Sequence, residues 1–355
     1  MLQPLTQYGE SSHSRFARKL KRKYCMMAVI YTALLLLVLC SGPVSGLNLL
    51  AAPKRAVWRI IREKARAGII ARGEAIGVDW HGEVENLRAN MGILEQEYDR
   101  LTTASTAPKV WPEYYLKEFH AYEDGNLGWL PALEVGPAAL TVHAPIFTGS
   151  NEELRKDGDA TLRDNYQEKM REALAKRNFP EPKVILDIGS STGLSTQALA
   201  KSFLKTEKII GCDLSPYMLA VAGFERDTKV KDPRISYIYG AGENLVFLNE
   251  RPNLVSMCLI SHELPESAAA SIYSEVFNAL PSGGALSIMD IDPNSEFFQK
   301  FKANKFAFAG FASTEPWISE YCGMDLPARL SAAGFVDISI ASNSPRHRTV
   351  VAFKA

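Results

Sequence analysis

The stretch Val184-Ile185-Leu186-Asp187-Ile188-Gly189-Ser190-Ser191-Thr192-Gly193 constrains this chain more than any other. An apolar run ends in an acid, and two glycines four residues apart follow. A helix-like segment then runs from Leu194 to Phe203. A second apolar run, Lys208-Ile209-Ile210-Gly211-Cys212, ends in Asp213. The order is strand, tight glycine turn, helix, strand, and an acid at the second strand's tip. Such a unit suits a nucleoside: glycines let backbone approach the ligand, and the second acid can accept hydrogen bonds from two ribose hydroxyls. Dinucleotide sites use G-x-G-x-x-G, so that pyrophosphate sits on a helix N-terminus. The spacing here is D-x-G-x-x-x-G. The plainer alternative is a βαβ turn that binds nothing.

From Lys183 onward the alternation is regular. Strands are expected at 183–187, 207–213, 235–239, 254–260 and 284–290, with helices at 193–204, 215–225, 265–280 and 294–311. That rhythm implies a parallel sheet covered on both faces. The tail breaks it: a helix from Leu326 to Ala333 stops at Gly334, and strands Phe335–Ala341 and Thr349–Phe353 form a terminal hairpin. Upstream, Val84, Leu87, Met91, Leu94, Tyr98 and Leu101 recur at steps of three and four, one apolar helix stripe over Glu83–Thr103. A polar helix is expected from Asp159 to Arg177.

The chain has 355 residues and no net charge, but the charges are unevenly placed. Residues 1–80 carry 13 Lys/Arg against 4 Asp/Glu, and the remainder 27 against 36. A basic leader on an acidic body is a targeting pattern and not a nucleic-acid footprint. Arg15–Lys23 holds six basic residues, and Met26–Cys40 is an uncharged apolar run of fifteen. A membrane span needs about 20, so this run fits a signal-peptide core, with Val44-Ser45-Gly46 as small residues at a cleavage point. Pro53–Arg72 then reads as a basic amphipathic, transit-like helix. An uncleaved signal anchor is the alternative, and it would hold the protein to a membrane through residues 25–40. Five scattered cysteines give neither a disulfide framework nor zinc-ligand spacing.

Ligands of open α/β sheets bind beyond the C-terminal strand ends, where strand order reverses. The fourth strand ends in Leu259-Ile260-Ser261-His262-Glu263-Leu264-Pro265. A histidine there can act as a general base near neutral pH, and Glu263 can orient it or bind substrate. Equally, His262 can cap the next helix or line the pocket. Asp290, Asp292 and Asn294 follow the fifth strand; three loop oxygens are read as a turn and helix cap and not as a metal site. Trp111–Trp129 is aromatic and polar at once. It is either a substrate lid or an aromatic brace against the core. The lid reading makes His120, Tyr122, Asn126 and Trp129 substrate contacts, with Trp317 of Thr314-Glu315-Pro316-Trp317 beside them. Pro345-Arg346-His347-Arg348 is a second loop that could close over substrate.

The D-x-G-x-x-x-G motif, Asp213, the Pro281-Ser282-Gly283-Gly284 turn and the terminal hairpin together resemble the class I S-adenosylmethionine-dependent methyltransferases. The resemblance covers roughly 183–353, and Leu214-Ser215-Pro216-Tyr217 is similar to the methyltransferase 11 group. It implies a Rossmann-like α/β fold: a seven-stranded, mostly parallel sheet with an antiparallel last strand, plus an N-terminal helical extension. It implies S-adenosylmethionine as cofactor, Asp187 orienting the turn and the cofactor's amino-acid end, and Asp213 holding the ribose. Gly189, Ser190, Ser191, Gly193, Leu214, Gly242, Glu243 and Ile260 complete the implied cofactor set. Two positions depart from the family pattern. Ser191 replaces a usual glycine, and Ala241 stands where an acid usually bonds the adenine amino group, leaving that contact to loop N–H groups or Glu243. The 111–129 block further resembles plastid-targeted methyltransferase-like proteins of plants and algae.

The expected organisation is a signal peptide or anchor (1–46), a transit-like segment (47–80), a helical and aromatic extension with lid (81–180), and an S-adenosylmethionine-binding domain (181–355). The expected function is methyl transfer to a small-molecule acceptor, at oxygen or carbon, with His262 as base; the acceptor class includes quinone- and lipid-like molecules. The expected location is an algal plastid or, with an uncleaved anchor, the endomembranes. A catalytically silent protein that binds the cofactor or S-adenosylhomocysteine is one rival. A nicotinamide-dependent oxidoreductase is another, opposed by the glycine spacing. Nucleic acid is not an expected partner, because the body is acidic and lacks a basic stripe.

Overall fold

Val184–Ile188 (β1) is buried at every position, as a strand covered on both faces must be. It pairs in parallel with Lys208–Asp213 (β2) on one side and Leu254–Cys258 (β4) on the other. Ile235–Tyr239 (β3) extends the sheet beyond β2, and Ala285–Ile291 (β5) beyond β4. Val336–Ser342 (β6) and His347–Phe353 (β7) form the closing hairpin, with β7 antiparallel to β5. The order is β3-β2-β1-β4-β5-β7-β6, seven strands of which five are parallel neighbours. Strand order reverses between β1 and β4, so a crevice opens beyond their C-terminal ends.

The structure is a computed structural model that describes residue 63 and residues 65–355 except 105, 106, 121 and 149–151. The expected leader, the apolar run 25–40 and residues 47–62 lie outside the described residues. Among the described residues no helix is long and apolar enough to cross a membrane. The elements labelled here belong to the unit Gly68–Ala355.

The helices that cover the sheet are Gly158–Lys176 (α4), Leu194–Ser202 (α5), Pro216–Glu225 (α6) and Glu266–Ala279 (α7). Tyr166 of α4 is fully buried, and its hydroxyl lies 3.1 Å from Ser256 Oγ and donates to Ser287 O at 3.0 Å, so α4 is locked onto β4 and β5. Burying each such side chain contributes roughly 1.5–3 kcal/mol. The N-terminal extension packs on α6 through Trp80, Val84, Leu87, Leu94, Leu133, Met218, Val221 and Phe224.

Two single-helix expectations are corrected. Glu83–Thr103 is two helices, Trp80–Ala89 (α1) and Met91–Thr103 (α2), separated at Asn90. The Asn90 amide group donates back to Asn86 O at 2.8 Å and ends the first helix. Likewise 294–311 is Glu296–Ala303 (α8) and Lys305–Ala312 (α9). Asn304 breaks it, because its side chain accepts from the Ala307 N–H at 3.2 Å and so starts a new helix. His347 and Arg348 are also not in a loop. They are buried in β7, paired in register with Ile291 and Asp290. A further helix, Trp129–His143 (α3), continues from the aromatic block.

Candidate active site

The turn after β1 is built from left-handed backbone. Gly189, Ser191 and Gly193 have φ of 71°, 49° and 86°. The Gly189 and Ser190 N–H groups both donate to Cys212 O, at 2.8 and 3.1 Å, which ties the turn to β2. A Cβ on Gly189 would lie 2.4 Å from the Ile260 side chain, and one on Gly193 2.1 Å from the Tyr237 hydroxyl. Gly193→Ala is therefore expected to destabilise the fold by at least about 2 kcal/mol, combining left-handed strain with overpacking. A denaturation midpoint within error of wild type would contradict this.

Asp187 is fully buried at the end of β1. Its Oδ2 accepts from Ser195 Oγ at 2.6 Å and Thr196 Oγ1 at 2.7 Å, both in the first turn of α5, while Oδ1 has no partner. Burial pushes its pKa up to about 6, against the pull of these hydroxyls. Asp213, at the β2 tip, accepts from the Ser191 N–H on Oδ2 and the Ser215 N–H on Oδ1, each at 2.8 Å. Burial raises its pKa, against those N–H donors.

A 3-10 turn, Glu113–Leu116, lies over this half of the site. Trp111 Nε1 donates to Leu214 O at 3.0 Å, Tyr115 donates to Asp213 Oδ1 at 3.2 Å, and Tyr114 donates to Glu243 Oε1. The sequence leaves 111–129 as either a lid or a brace and does not single out Trp111, Tyr114 or Tyr115. All three carry an N–H or hydroxyl on a flat ring, but so do Tyr122 and Trp129, so ring chemistry alone does not pick them out. Glu243 Oε2 and Ser190 Oγ are buried without partners. Gly242 packs close to β1, where a Cβ would lie 2.9 Å from Ile188.

The second half of the site lies at the β4 tip. His262 is 8% exposed, with Nδ1 2.7 Å from Asp290 Oδ1, and its backbone N–H donates to Asp290 Oδ2 at 3.1 Å. Burial alone would lower the His262 pKa. The charge and hydrogen bond of Asp290 outweigh it and push the group up to about 10. Glu263, next along, is pushed up to about 7 by burial, against the pull of His120 and His262. His120 Nε2 lies 3.2 Å from Glu315 Oε1 and 3.7 Å from Glu263 Oε1. Glu315 is buried, and its Oε2 has no partner.

The structure thus gathers Asp187, Gly189, Ser190, Ser191, Gly193, Asp213, Leu214, Gly242, Glu243, Ile260, His262, Glu263 and His120 around adjoining strand tips. Tyr122 donates to Glu134 on α3 at 2.8 Å, and Asn126 offers its backbone oxygen to Ser215 Oγ at 2.6 Å. Trp129 meets Tyr217 edge-on and Tyr98 at a tilt in the N-terminal core, as in the brace reading. Trp317 precedes Ile318–Gly323 (α10), two residues after Glu315. Asp290, read as a turn residue, is the partner of His262. Asp292 does close the turn, accepting from the Asn294 N–H at 2.9 Å, and Ser295 caps α8.

Residues 185–284, which include the glycine turn, Asp213 and the β4 tip, match the family described as a methyltransferase domain. Over that segment the chain is similar to a methyltransferase domain. An uncharacterised methyltransferase of Synechocystis sp. is 30% identical over 152 residues, which is 42% of this chain and 66% of that protein, a little under two thirds of its length. Among solved structures, the magnesium protoporphyrin IX methyltransferase of Synechocystis with bound S-adenosylhomocysteine is similar at 15% identity. The likeness covers 59% of this chain and 90% of that one, with a TM-score of 0.42. Phosphoethanolamine N-methyltransferase 2 of Haemonchus contortus is similar at 20% identity over 52% of each chain, with a TM-score of 0.37. The cofactor of the class is S-adenosylmethionine. The residues gathered at the strand tips fit it: two acids stand at adjoining tips, and Asp187 Oδ1, Ser190 Oγ and Glu243 Oε2 are buried without partners.

Proposed function

We propose that the chain is an S-adenosylmethionine-dependent methyltransferase acting on a small-molecule acceptor held at the β4 tip. The observation that carries this reading is the junction of two halves: a nucleoside-type turn with Asp187 and Asp213, and a proton-handling cluster of His262, Glu263 and His120. Asp213 would hold the ribose hydroxyls, Asp187 the turn and amino-acid end, and Glu243 with its loop the adenine edge. The bound cofactor supplies a sulfonium methyl that is already electrophilic.

The chain's own residues then have to orient the acceptor and take its proton. Positioning can supply roughly 7–11 kcal/mol of the barrier. His262 is charged at neutral pH because Asp290 holds it so, and a protonated imidazole cannot accept a proton. We therefore assign the base role expected of His262 to Glu263, whose carboxyl burial pushes up to about 7. His262 keeps one N–H, on Nε2, to donate to the acceptor. An acceptor hydroxyl, or an activated ring carbon, loses its proton to Glu263 as the new bond forms. That chemistry supports O- or C-methylation, and quinol-type acceptors have the required hydroxyl. The basic leader, its apolar core and the amphipathic segment behind it support delivery to a plastid, or an anchor at residues 25–40 if uncleaved.

One observation favours a second reading, a silent cofactor-binding protein: the Tyr115 and Tyr114 hydroxyls already occupy Asp213 and Glu243. Calorimetric titration of S-adenosylmethionine and S-adenosylhomocysteine into the chain tests both. Saturable heat from each ligand is expected. A folded chain that binds neither overturns the proposal, and binding with no S-adenosylhomocysteine released across a panel of quinols and phenols favours the silent reading.

A further inference from the structure

The two helices that follow the β5 tip have an unusual composition for their burial. Across α8 and α9 lie Phe297, Phe298, Phe301, Phe306, Phe308 and Phe311; Phe298 is buried, Phe301, Phe308 and Phe311 are half-buried against the core, and Phe297 and Phe306 are exposed. Helix α9, Lys-Phe-Ala-Phe-Ala-Gly-Phe-Ala, has no buried residue at all. Phe297 is 41% exposed and Phe306 52%. Most of the rings touch one another: Phe301 lies 5.9 Å from Phe298, 6.2 Å from Phe308, 5.7 Å from Phe311 and 6.4 Å from Phe297. Exposed apolar residues elsewhere, such as Leu204 and Val246, stand singly and need no explanation. An aromatic cluster that leaves Phe297 and Phe306 exposed on one arm does.

The charges around the patch indicate what covers it. Residues 81–355 are acidic, with 27 Lys/Arg against 36 Asp/Glu. On this arm the sign reverses. Lys300, Lys302 and Lys305 are all exposed, against the single acid Glu296, which pairs with Lys300 at 2.5 Å. The Arg346 guanidinium sits 3.9 Å from the centre of the Phe297 ring. Phenylalanines interleaved with lysines on a short amphipathic element match the chemistry of an anionic lipid surface, with rings entering the headgroup boundary and ammonium groups meeting phosphates.

We propose that the α8–α9 arm is a membrane-docking surface that takes an anionic lipid bilayer. The arm also leads into the active site. Glu315 N donates to Phe311 O at 3.1 Å, Thr314 O accepts from the His120 N–H at 3.1 Å, and Glu315 holds His120. Docking would set the cluster of His120, Glu263 and Glu315 beside the lipid phase, so an acceptor dissolved there could reach it without crossing water. The docking itself does not rest on the methyltransferase reading.

The test uses the full chain with vesicles of phosphatidylcholine, alone and mixed with phosphatidylglycerol. Binding is read by co-sedimentation and by hydrogen exchange of residues 296–312. Anionic vesicles are expected to bind better and to slow exchange across that segment. The triple variant Lys302→Glu, Lys305→Glu, Phe306→Ser, all at exposed positions, is expected to lose at least tenfold in binding, since each lysine near an anionic surface is worth roughly a fivefold change. The exchange readout separates the arm from any contribution of residues 25–40. Unchanged binding by the variant, with no slowing at 296–312 in wild type, overturns the proposal. So does slowing caused equally by phosphatidylcholine alone and by a soluble protein added in its place.

Discussion

Asp213→Ala is expected to weaken S-adenosylmethionine binding at least about 100-fold, the loss of two charge-assisted hydrogen bonds at roughly 1.5–3 kcal/mol each. The carboxylate does two jobs. It would take the ribose hydroxyls, and it also holds the Ser191 and Ser215 N–H groups at 2.8 Å. Removing it leaves both donors unsatisfied in a buried place, at about 1–3 kcal/mol apiece. Ser191 has the left-handed backbone of the turn, so the turn relaxes at the point where ligand must approach. Loss of binding should therefore come with a lower unfolding temperature. Asp213→Asn separates the two effects. It keeps one acceptor oxygen and the shape, so it can satisfy one of the two N–H groups and should restore part of the stability with only part of the affinity. Calorimetry with both variants checks this. Wild-type affinity in Asp213→Ala would show that the nucleoside does not sit at the β2 tip.

The sheet was legible because its signals are local. Each strand is a short apolar run closed by a glycine, an acid or a turn, and the glycine spacing after β1 marks the cofactor end. What escaped was either a single-residue break or a distant pairing. Asn90 and Asn304 interrupt apolar periods that continue on both sides, so periodicity alone merges the helices. The extent of β7 was misjudged because His347 and Arg348 look like loop residues, whereas pairing with β5 buries them. The partner of His262 lies 28 residues away on the next strand, and no spacing rule reaches it. Its effect is large. A lone histidine at a strand tip reads as a base, while the Asp290 carboxylate raises the His262 pKa and favours the charged imidazolium. The aromatic block reads equally as lid or brace in the sequence, and which rings turn toward the strand tips depends on the 3-10 turn at Glu113–Leu116.

Glu263→Gln is expected to lower kcat by about 100- to 10,000-fold, the usual range for a general base, while leaving cofactor affinity within a few-fold. The pH profile gives the sharper test. A carboxyl pushed up to about 7 by burial is protonated below that pH and becomes an acceptor above it, so turnover should rise through about pH 7. His262 stays charged until about pH 10, so a donor role for it predicts a second, falling limb there. Asp290→Asn removes the charge that opposes burial at His262. The imidazole should then lose its proton at lower pH, and the alkaline limb should move down while the limb near 7 stays. If instead Glu263→Gln turns over within a few-fold of wild type and keeps its acidic limb, the proton leaves by another route. A His262 that titrates near 6, read by NMR in the folded wild type, would return the base role to the imidazole.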